Sequence, residues 1–208
     1  MKNLTIVENS LIKRDVTILR DETTKEYQFR LALRRIAYAL VNKISEHFEL
    51  EEIEVKSPLE TTYGYRLKHQ IVLVPVLRAG LSLVNSFIEM IPEAKVGHIG
   101  LQRDEKTLKP VDYYYKTPRN LDVSKVIILD PMLATGGSAS AACSFLKERG
   151  AKDVTLACLI SAPEGVEKME TDHPDVKIFT AALDRELNEN GFITPGLGDA
   201  GDRTFGTL

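Results

Sequence analysis

The stretch VIILDPMLATGGSASAA, Val126 to Ala142, decides the fold. Val126 to Leu129 is a β-branched and aliphatic run of the kind that forms an interior parallel strand buried on both faces. Ser138 to Lys147 holds no Pro or Gly and carries Ala139, Ala141, Ala142, Phe145 and Leu146. This predicts a helix with Ser138 or a neighbour as N-cap. Between the two lies a tight loop in which Gly136 and Gly137 permit positive φ and close approach of a ligand to the backbone. The helix aims its unpaired N–H groups and partial positive charge back into that loop, so residues 134–138 form an anion cradle.

Two better-known phosphate loops fail on particular residues. No Lys follows the glycines, which excludes G-x-x-x-x-G-K-[ST], and there is no G-x-G-x-x-G. What remains is Asp130 at the carboxyl end of the strand, five residues ahead of Thr135. A carboxylate there can accept hydrogen bonds from sugar hydroxyls while the amides of Ala134 to Ser138 hold a phosphate, which together suit a ribose phosphate. A Gly-rich turn with no ligand would give the same TGGS string; the strand-acid-loop-helix context favours the ligand.

The rest of the chain bounds the reading. With 208 residues, 43% hydrophobic and 27% charged, it predicts a globular protein of one domain, residues 1–208. A net charge of -3 gives no footprint for nucleic acid. Apolar runs such as Ile71 to Leu77 fall far short of a membrane span, and charges interrupt Met1 to Arg20 where a signal peptide needs an apolar core. The expectation is a cytoplasmic protein with no membrane partner. Cys143 and Cys158 read as buried, reduced thiols. His47, His69, His98 and His173 lack ligand spacing and receive no role.

Along the chain, Ile18 to Asp21 precedes a helix in which Phe29, Leu33, Ile36, Leu40, Ile44 and Phe48 recur at gaps of three and four. Gln70–Val76, Val96–Leu101, Val126–Leu129, Val154–Ile160 and Val176–Ala181 are short apolar segments mostly separated by helical stretches, so the class is α/β with a parallel sheet flanked by helices. Between Gln102 and Leu121, Val111, Tyr113 and Tyr115 alternate with polar neighbours, which predicts a projecting β-hairpin, and long projections are often lids. Ligands bind beyond the carboxyl ends of parallel strands. The segments VPVLRAG, QRDE, DPMLATGGS and GFITPGLGDAGDRTFGT are therefore expected to converge, with Arg78 and Arg103 facing phosphates. The last segment has too many breakers for a helix or long strand, yet Phe192, Ile193, Leu197 and Phe205 anchor it as an ordered loop.

DPMLATGGS, VPVLRAG and GFITPGLGDAGDRTFGT, with TILRDETT and GLQRDEKTLKPVDYYYKTP, together resemble the uracil phosphoribosyltransferases, members of the type I phosphoribosyltransferases. The wider class usually carries two adjacent acids before the loop; here Pro131 takes the second place, a departure the uracil enzymes share, and Asp130 stands alone. The resemblance implies pentosyl transfer in pyrimidine salvage: uracil and 5-phosphoribosyl 1-diphosphate (PRPP) give UMP and diphosphate, with Mg2+. On that likeness Asp130, Arg78 and Arg103 are the catalytic candidates. The PRPP site takes in Arg78, Arg103, Asp130, Pro131, Met132, Leu133, Ala134, Thr135, Gly136, Gly137, Ser138 and Asp199. Uracil falls to the C-terminal base-binding loop at Ile193, Gly198, Asp199 and Ala200. Mg2+ is held mainly by PRPP and water, with Asp199 as a further link. The likeness also brings a homo-oligomer, dimer or tetramer, and GTP as an effector.

Two other readings keep the fold. One is an RNA-binding regulator, against which the net acidity counts. The other is transfer to another base, such as orotate or a purine; orotate needs a cationic partner, and Arg203 is the basic residue of the base loop.

Overall fold

The computed structural model describes residues 1–103 and 110–207, with 101–103 and 110–113 described by backbone alone. In chain order come β1 (Leu4–Ile6), α1 (Ser10–Arg20), α2 (Glu26–Ser45), β2 (Leu50–Lys56), β3 (Thr61–Leu67), β4 (Ile71–Pro75), α3 (Leu81–Met90) and β5 (Lys95–Val96). Next are β6 (His98–Arg103), β7 (Pro110–Lys116), β8 (Lys125–Leu129), β9 (Met132–Leu133), α4 (Gly137–Glu148), β10 (Asp153–Ser161) and α5 (Pro163–Asp172). The chain closes with β11 (Lys177–Leu183), β12 (Glu186–Leu187), β13 (Ile193–Thr194) and α6 (Ala200–Phe205). The main sheet runs β1-β11-β10-β8-β4-β5, with β9 beside β10, and every pairing in it is parallel.

Strand alternation sends successive side chains to opposite faces of the sheet. Leu73, Ile127, Leu129, Ala157, Leu159 and Phe179 pack under α1, α2 and α3, while Val72, Val74, Val126, Ile128, Leu156 and Ile178 pack under α4 and α5. Both faces are covered, which is why these strands are continuous apolar runs. Among the described residues no helix is long and apolar enough to cross a membrane.

Several boundaries differ from the sequence expectation, each for a physical reason. Ile18 to Asp21 is the end of α1, a helix that periodicity hides because Asp15 sits on its core face. Asp15 is 1% exposed, and Arg35 reaches both of its oxygens at 2.7 Å. Asn9 starts this helix, its side-chain oxygen accepting from the N–H groups of Leu11 and Ile12. The hairpin β2–β3 is a further element: Ile53/Val55 and Tyr63/Tyr65/Leu67 alternate with polar or small neighbours as in strands, although neither strand has a buried residue. Phe48 lies beyond the end of α2. Val96–Leu101 divides in two: Lys95–Val96 joins β4 in the sheet, and after Gly97 the chain turns into the predicted antiparallel hairpin of β6 with β7. The C-terminal block, read as a loop, contains the short helix α6.

Gly80 packs the start of α3 directly on the sheet: a Cβ there would lie 2.2 Å from the Leu129 carbonyl oxygen and 2.7 Å from both Val76 N and O. Every one of these atoms is backbone and cannot yield. Gly80→Ala should therefore lower unfolding stability by on the order of 3 kcal/mol. Urea denaturation showing a loss under about 1 kcal/mol, within the range of an ordinary surface change, would contradict this packing.

Candidate active site

Chain direction over the sheet reverses between β4 and β8: β4 is followed outward by β5, β8 in the opposite direction by β10 and β11. The connections leaving the carboxyl ends of β4 and β8 diverge and leave a crevice, the usual ligand position in such sheets. A cavity of about 230 Å³ lies there, lined by residues 76–79 of one connection and by Asp130 and residues 132–139 of the other. Arg78, Asp130, Met132, Leu133, Ala134, Thr135, Gly136, Gly137 and Ser138 are thus brought together as expected. Pro131 is not in the lining. It is buried, and its carbonyl accepts from the N–H groups of Leu159 and Ile160 at 2.9 and 3.2 Å.

The cradle differs in detail from its sequence reading. Gly136, not Ser138, is the N-cap of α4, with φ 76° and no side-chain cap bond. Gly137 opens the helix and does not take positive φ. A Cβ on Gly136 would lie 2.9 Å from the Gly165 carbonyl oxygen, and one on Gly165 would lie 2.4 Å from the Ala134 carbonyl oxygen. The loop is therefore pressed against the first turn of α5, and both glycines are needed for that approach. Gly165 escaped the sequence reading because a lone glycine in a helix carries no motif. A Cβ on Gly137, by contrast, would meet only Thr135 Oγ1 at 3.6 Å, so that position faces open space. Gly136 has no side chain to cap α4, and Thr135 Oγ1 takes only a long 3.4 Å bond from Gly137 N–H, so the first turn of α4, which lines the cavity, has N–H groups to offer an anion.

Asp130 is partly exposed and lines the cavity, and desolvation there pushes its pKa up to about 7. Among the described residues, the one hydrogen bond it receives is a long 3.4 Å contact from Met132 N–H. A carboxyl held this way is short of positive partners and would gain from a cation or from sugar hydroxyls brought by a ligand.

Arg78 is half exposed at the mouth of the cavity. It donates to Asp202 Oδ1 at 2.8 Å and Thr207 Oγ1 at 3.2 Å, and lies over the Phe205 ring. Thr207 and Arg78 hold the Asp202 carboxyl below its ordinary value by hydrogen bonding. Asp202 and Thr207 were not singled out in the sequence, because acids and hydroxyls in a Gly-rich segment carry no spacing signal. This contact brings the C-terminal block to the cavity; Gly191 on its other arm approaches the Thr135 methyl group. Ile193, Gly198, Asp199 and Ala200 flank the cavity without lining it. Ile193 and Ala200 bury their side chains in the core, so only their main chain is available to a ligand. Asp199 caps α6, its carboxylate accepting from Asp202 N–H at 2.8 Å. Arg203 turns inward: its guanidinium donates to the carbonyls of Leu19, Asp21 and Leu197 and lies 4.6 Å from the Phe29 ring centre. The side chain of Arg103 and the rest of QRDE lie outside the described residues, as does the tip of the hairpin read as a lid. Among the described residues no group of three His, Cys, Asp or Glu side chains gathers around a metal position. Cys143 and Cys158 are free and buried, and burial pushes each thiol up to about 12.

Residues 6–207 match the family described as Uracil phosphoribosyltransferase. The chain belongs to that family. It is 52% identical to the uracil phosphoribosyltransferase of Salinibacter ruber over 207 residues, covering 100% of this chain and 99% of the relative. It is 50% identical to that of Finegoldia magna, covering 100% of both. Among solved structures, the AQ2163 protein of Aquifex aeolicus superposes with a TM-score of 0.90 at 37% identity over 97% of each chain. A purine phosphoribosyltransferase from Pyrococcus horikoshii, at 18% identity and a TM-score of 0.53 over 76% of this chain and 86% of the other, shares the fold. The parallel sheet, the flanking helices and the separate hairpin are those of a type I phosphoribosyltransferase.

The Asp130 environment gives a pH signature. Unfolded, this carboxyl loses its proton near 3.8; folded, it keeps the proton until about 7. Between those values the native state binds more protons than the unfolded one, so this group makes stability fall as pH rises from about 4 to 7. Asp130→Asn should remove that slope and leave the ligand-free protein more stable than the parent at pH 8, by on the order of 3 kcal/mol, with no gain at pH 3.5. Parallel melting curves for parent and variant across the pH range would show that the Asp130 pKa is not raised.

Proposed function

We propose that the protein transfers the ribosyl phosphate of PRPP to uracil, giving UMP and diphosphate, and that the cavity between the β4 and β8 connections is where it does so. The observation carrying this reading is that one cavity joins a helix-N-terminal anion cradle, the Asp130 carboxyl and an arginine. The amides of Ala134 to Ser138, with the hydroxyls of Thr135 and Ser138, hold the ribose phosphate. Asp130 orients the ribose hydroxyls and faces the sugar as positive charge develops on its ring, where a fixed carboxylate favours the transition state over the ground state. Arg78, and Arg103 at the foot of the hairpin, oppose the charge left on departing diphosphate. No protein nucleophile is needed.

The base is read by main chain. Uracil presents an acceptor, a donor and an acceptor along one edge, which N–H, C=O and N–H groups of Ile193 and of Gly198 to Ala200 would complement. The inward turn of Arg203 supports uracil over orotate, since that guanidinium is committed to three main-chain carbonyls and cannot meet a carboxylate on the base. Mg2+ fits the donor set in one way: Asp130 is the carboxylate of the lining, so a divalent ion would take most ligands from diphosphate oxygens and water, with Asp199 as a further link. When bound, it would supply charge neutralisation at the diphosphate. A homo-oligomer, GTP as an effector and a cytoplasmic location belong to the same proposal and rest on the family likeness.

A base panel with PRPP and Mg2+, following diphosphate release, tests the reading. Uracil should turn over, and cytosine, which replaces a donor by an acceptor and an acceptor by a donor, should fall behind in kcat/KM by roughly 10⁴-fold or more. Comparable turnover of the two bases would remove the main-chain reading of uracil.

Gly137→Ala examines the cradle. The new methyl has room in the protein and suits a helix, so melting should be unchanged or slightly raised. It would, however, occupy the space over which the phosphate sits, and PRPP affinity measured by calorimetry should fall about tenfold or more. Unaltered PRPP affinity would put the phosphate elsewhere.

A further inference from the structure

The segment assigned to uracil recognition has few side chains that reach a ligand, so the position of its backbone must be fixed from outside it. Gly196 is where that fixing is concentrated. Its N–H donates to Asp184 Oδ2 at 2.9 Å, and its carbonyl accepts from Arg20 Nη1 at 2.8 Å. Arg20 and Asp184 are in turn joined by a two-point ion pair, Nη1 to Oδ2 at 2.8 Å and Nη2 to Oδ1. Two side chains thus grip both main-chain groups of a single residue. The grip is anchored at both ends of the fold: Arg20 is the last residue of α1, and Asp184, just past β11, has its own N–H bonded to Ser161 O at 2.8 Å.

Local geometry leaves no other residue for this turn. Gly196 takes φ +65°, and a Cβ there would fall 2.1 Å from the Ile193 carbonyl oxygen. Leu197 follows with its side chain buried and its carbonyl held by Arg203 at 2.8 Å. The next two residues, Gly198 and Asp199, are exposed. The gripped pair therefore ends where the base-reading groups begin. Asp184 has a side chain only 3% exposed, and buried ion pairs are often no better for stability than apolar side chains of the same volume. The hydrogen bonds they make to Gly196 give the pair another role, fixing backbone register.

We infer that Arg20 and Asp184 are positioning residues for uracil, setting the main chain of residues 196–200 while touching neither substrate. This rests on the reading of that segment as the base site. Neither residue lines the phosphate cavity, so the effect should be confined to the base.

Kinetics with uracil varied at saturating PRPP, and with PRPP varied at saturating uracil, test the inference on Arg20→Ala, Arg20→Lys and Asp184→Asn. Arg20→Ala should lower kcat/KM for uracil by on the order of tenfold to a hundredfold, chiefly through KM, because small misplacements of recognition groups carry such penalties. PRPP KM and calorimetric PRPP affinity should stay at the parent values. Arg20→Lys keeps the charge and one donor and should recover part of the loss. If Arg20→Ala does not fold, Arg20→Lys and Asp184→Asn carry the test, each with the same uracil-only pattern at smaller size. Unchanged uracil KM in a folded variant, or uracil and PRPP KM rising together as melting temperature falls, would overturn the inference. Hydrogen exchange of the parent with UMP separates the two levels. Protection of residues 193–200 upholds the base site, so that an unchanged uracil KM then sinks the positioning role alone; no protection there removes the base site and this inference with it.

Discussion

The pairing of β4 with β8 sets the distance between the two connections that line the cavity, and its register is the constraint on which the site depends. Both strands are apolar on both faces, so hydrophobic alternation by itself specifies their register weakly. The ends supply the specification. Lys125 N–H bonds to Gln70 O at one end, Val76 N–H bonds to Leu129 O at the other, and Gly80 is pressed against that same Leu129 carbonyl. A slip of one residue would lose these contacts together and move Asp130 away from the level of Arg78. In the proposed function, recognition of an anion and of a sugar in one cavity would thus follow from strand register before any side chain.

Around that frame the groups are held with different firmness, in keeping with what each does. The cradle is rigid, with Gly136 and Gly165 letting α5 buttress the loop and the first turn of α4 delivering amides. Asp130 has no cationic partner among the described residues, and desolvation raises its pKa. Arg78 is half exposed and shared with Asp202, Thr207 and Phe205, so it can answer to both the diphosphate and the C-terminal block. Such an arrangement places charge where it is needed during bond cleavage while leaving the resting protein with one carboxyl in an unfavourable setting, a local conflict typical of functional sites.

The central part of the chain was legible because its physics is local. Val126 to Leu129 is the interior strand expected, Asp130 follows it, and the helix expected over Ser138 to Lys147 is there, opening one residue earlier at Gly137. What escaped depends on contacts distant in sequence. α1 was hidden by a buried Asp15 whose partner Arg35 lies on another helix, and Gly165 matters only because Ala134 sits on it. The β2–β3 hairpin carries its alternation, Ile53/Val55 and Tyr63/Tyr65/Leu67, on strands that bury no face within this chain. Asp202 and Thr207 acquire meaning only when Arg78 is beside them, 124 and 129 residues away in sequence. Family likeness assigned the base loop; of the four apolar anchors read there, Ile193 and Leu197 are buried while Phe192 and Phe205 are exposed, and neither the short helix nor the burial of Ala200 was expected.

The central claim is that one cavity, formed by the connections after β4 and β8, receives PRPP. Backbone hydrogen exchange of the full chain with and without PRPP and Mg2+ addresses it directly, because both connections must respond to one ligand. The account predicts slowed exchange in residues 76–80 and 132–139 together, saturating at the same PRPP concentration. Protection confined to one of the two segments, or appearing only elsewhere in the chain, would contradict it.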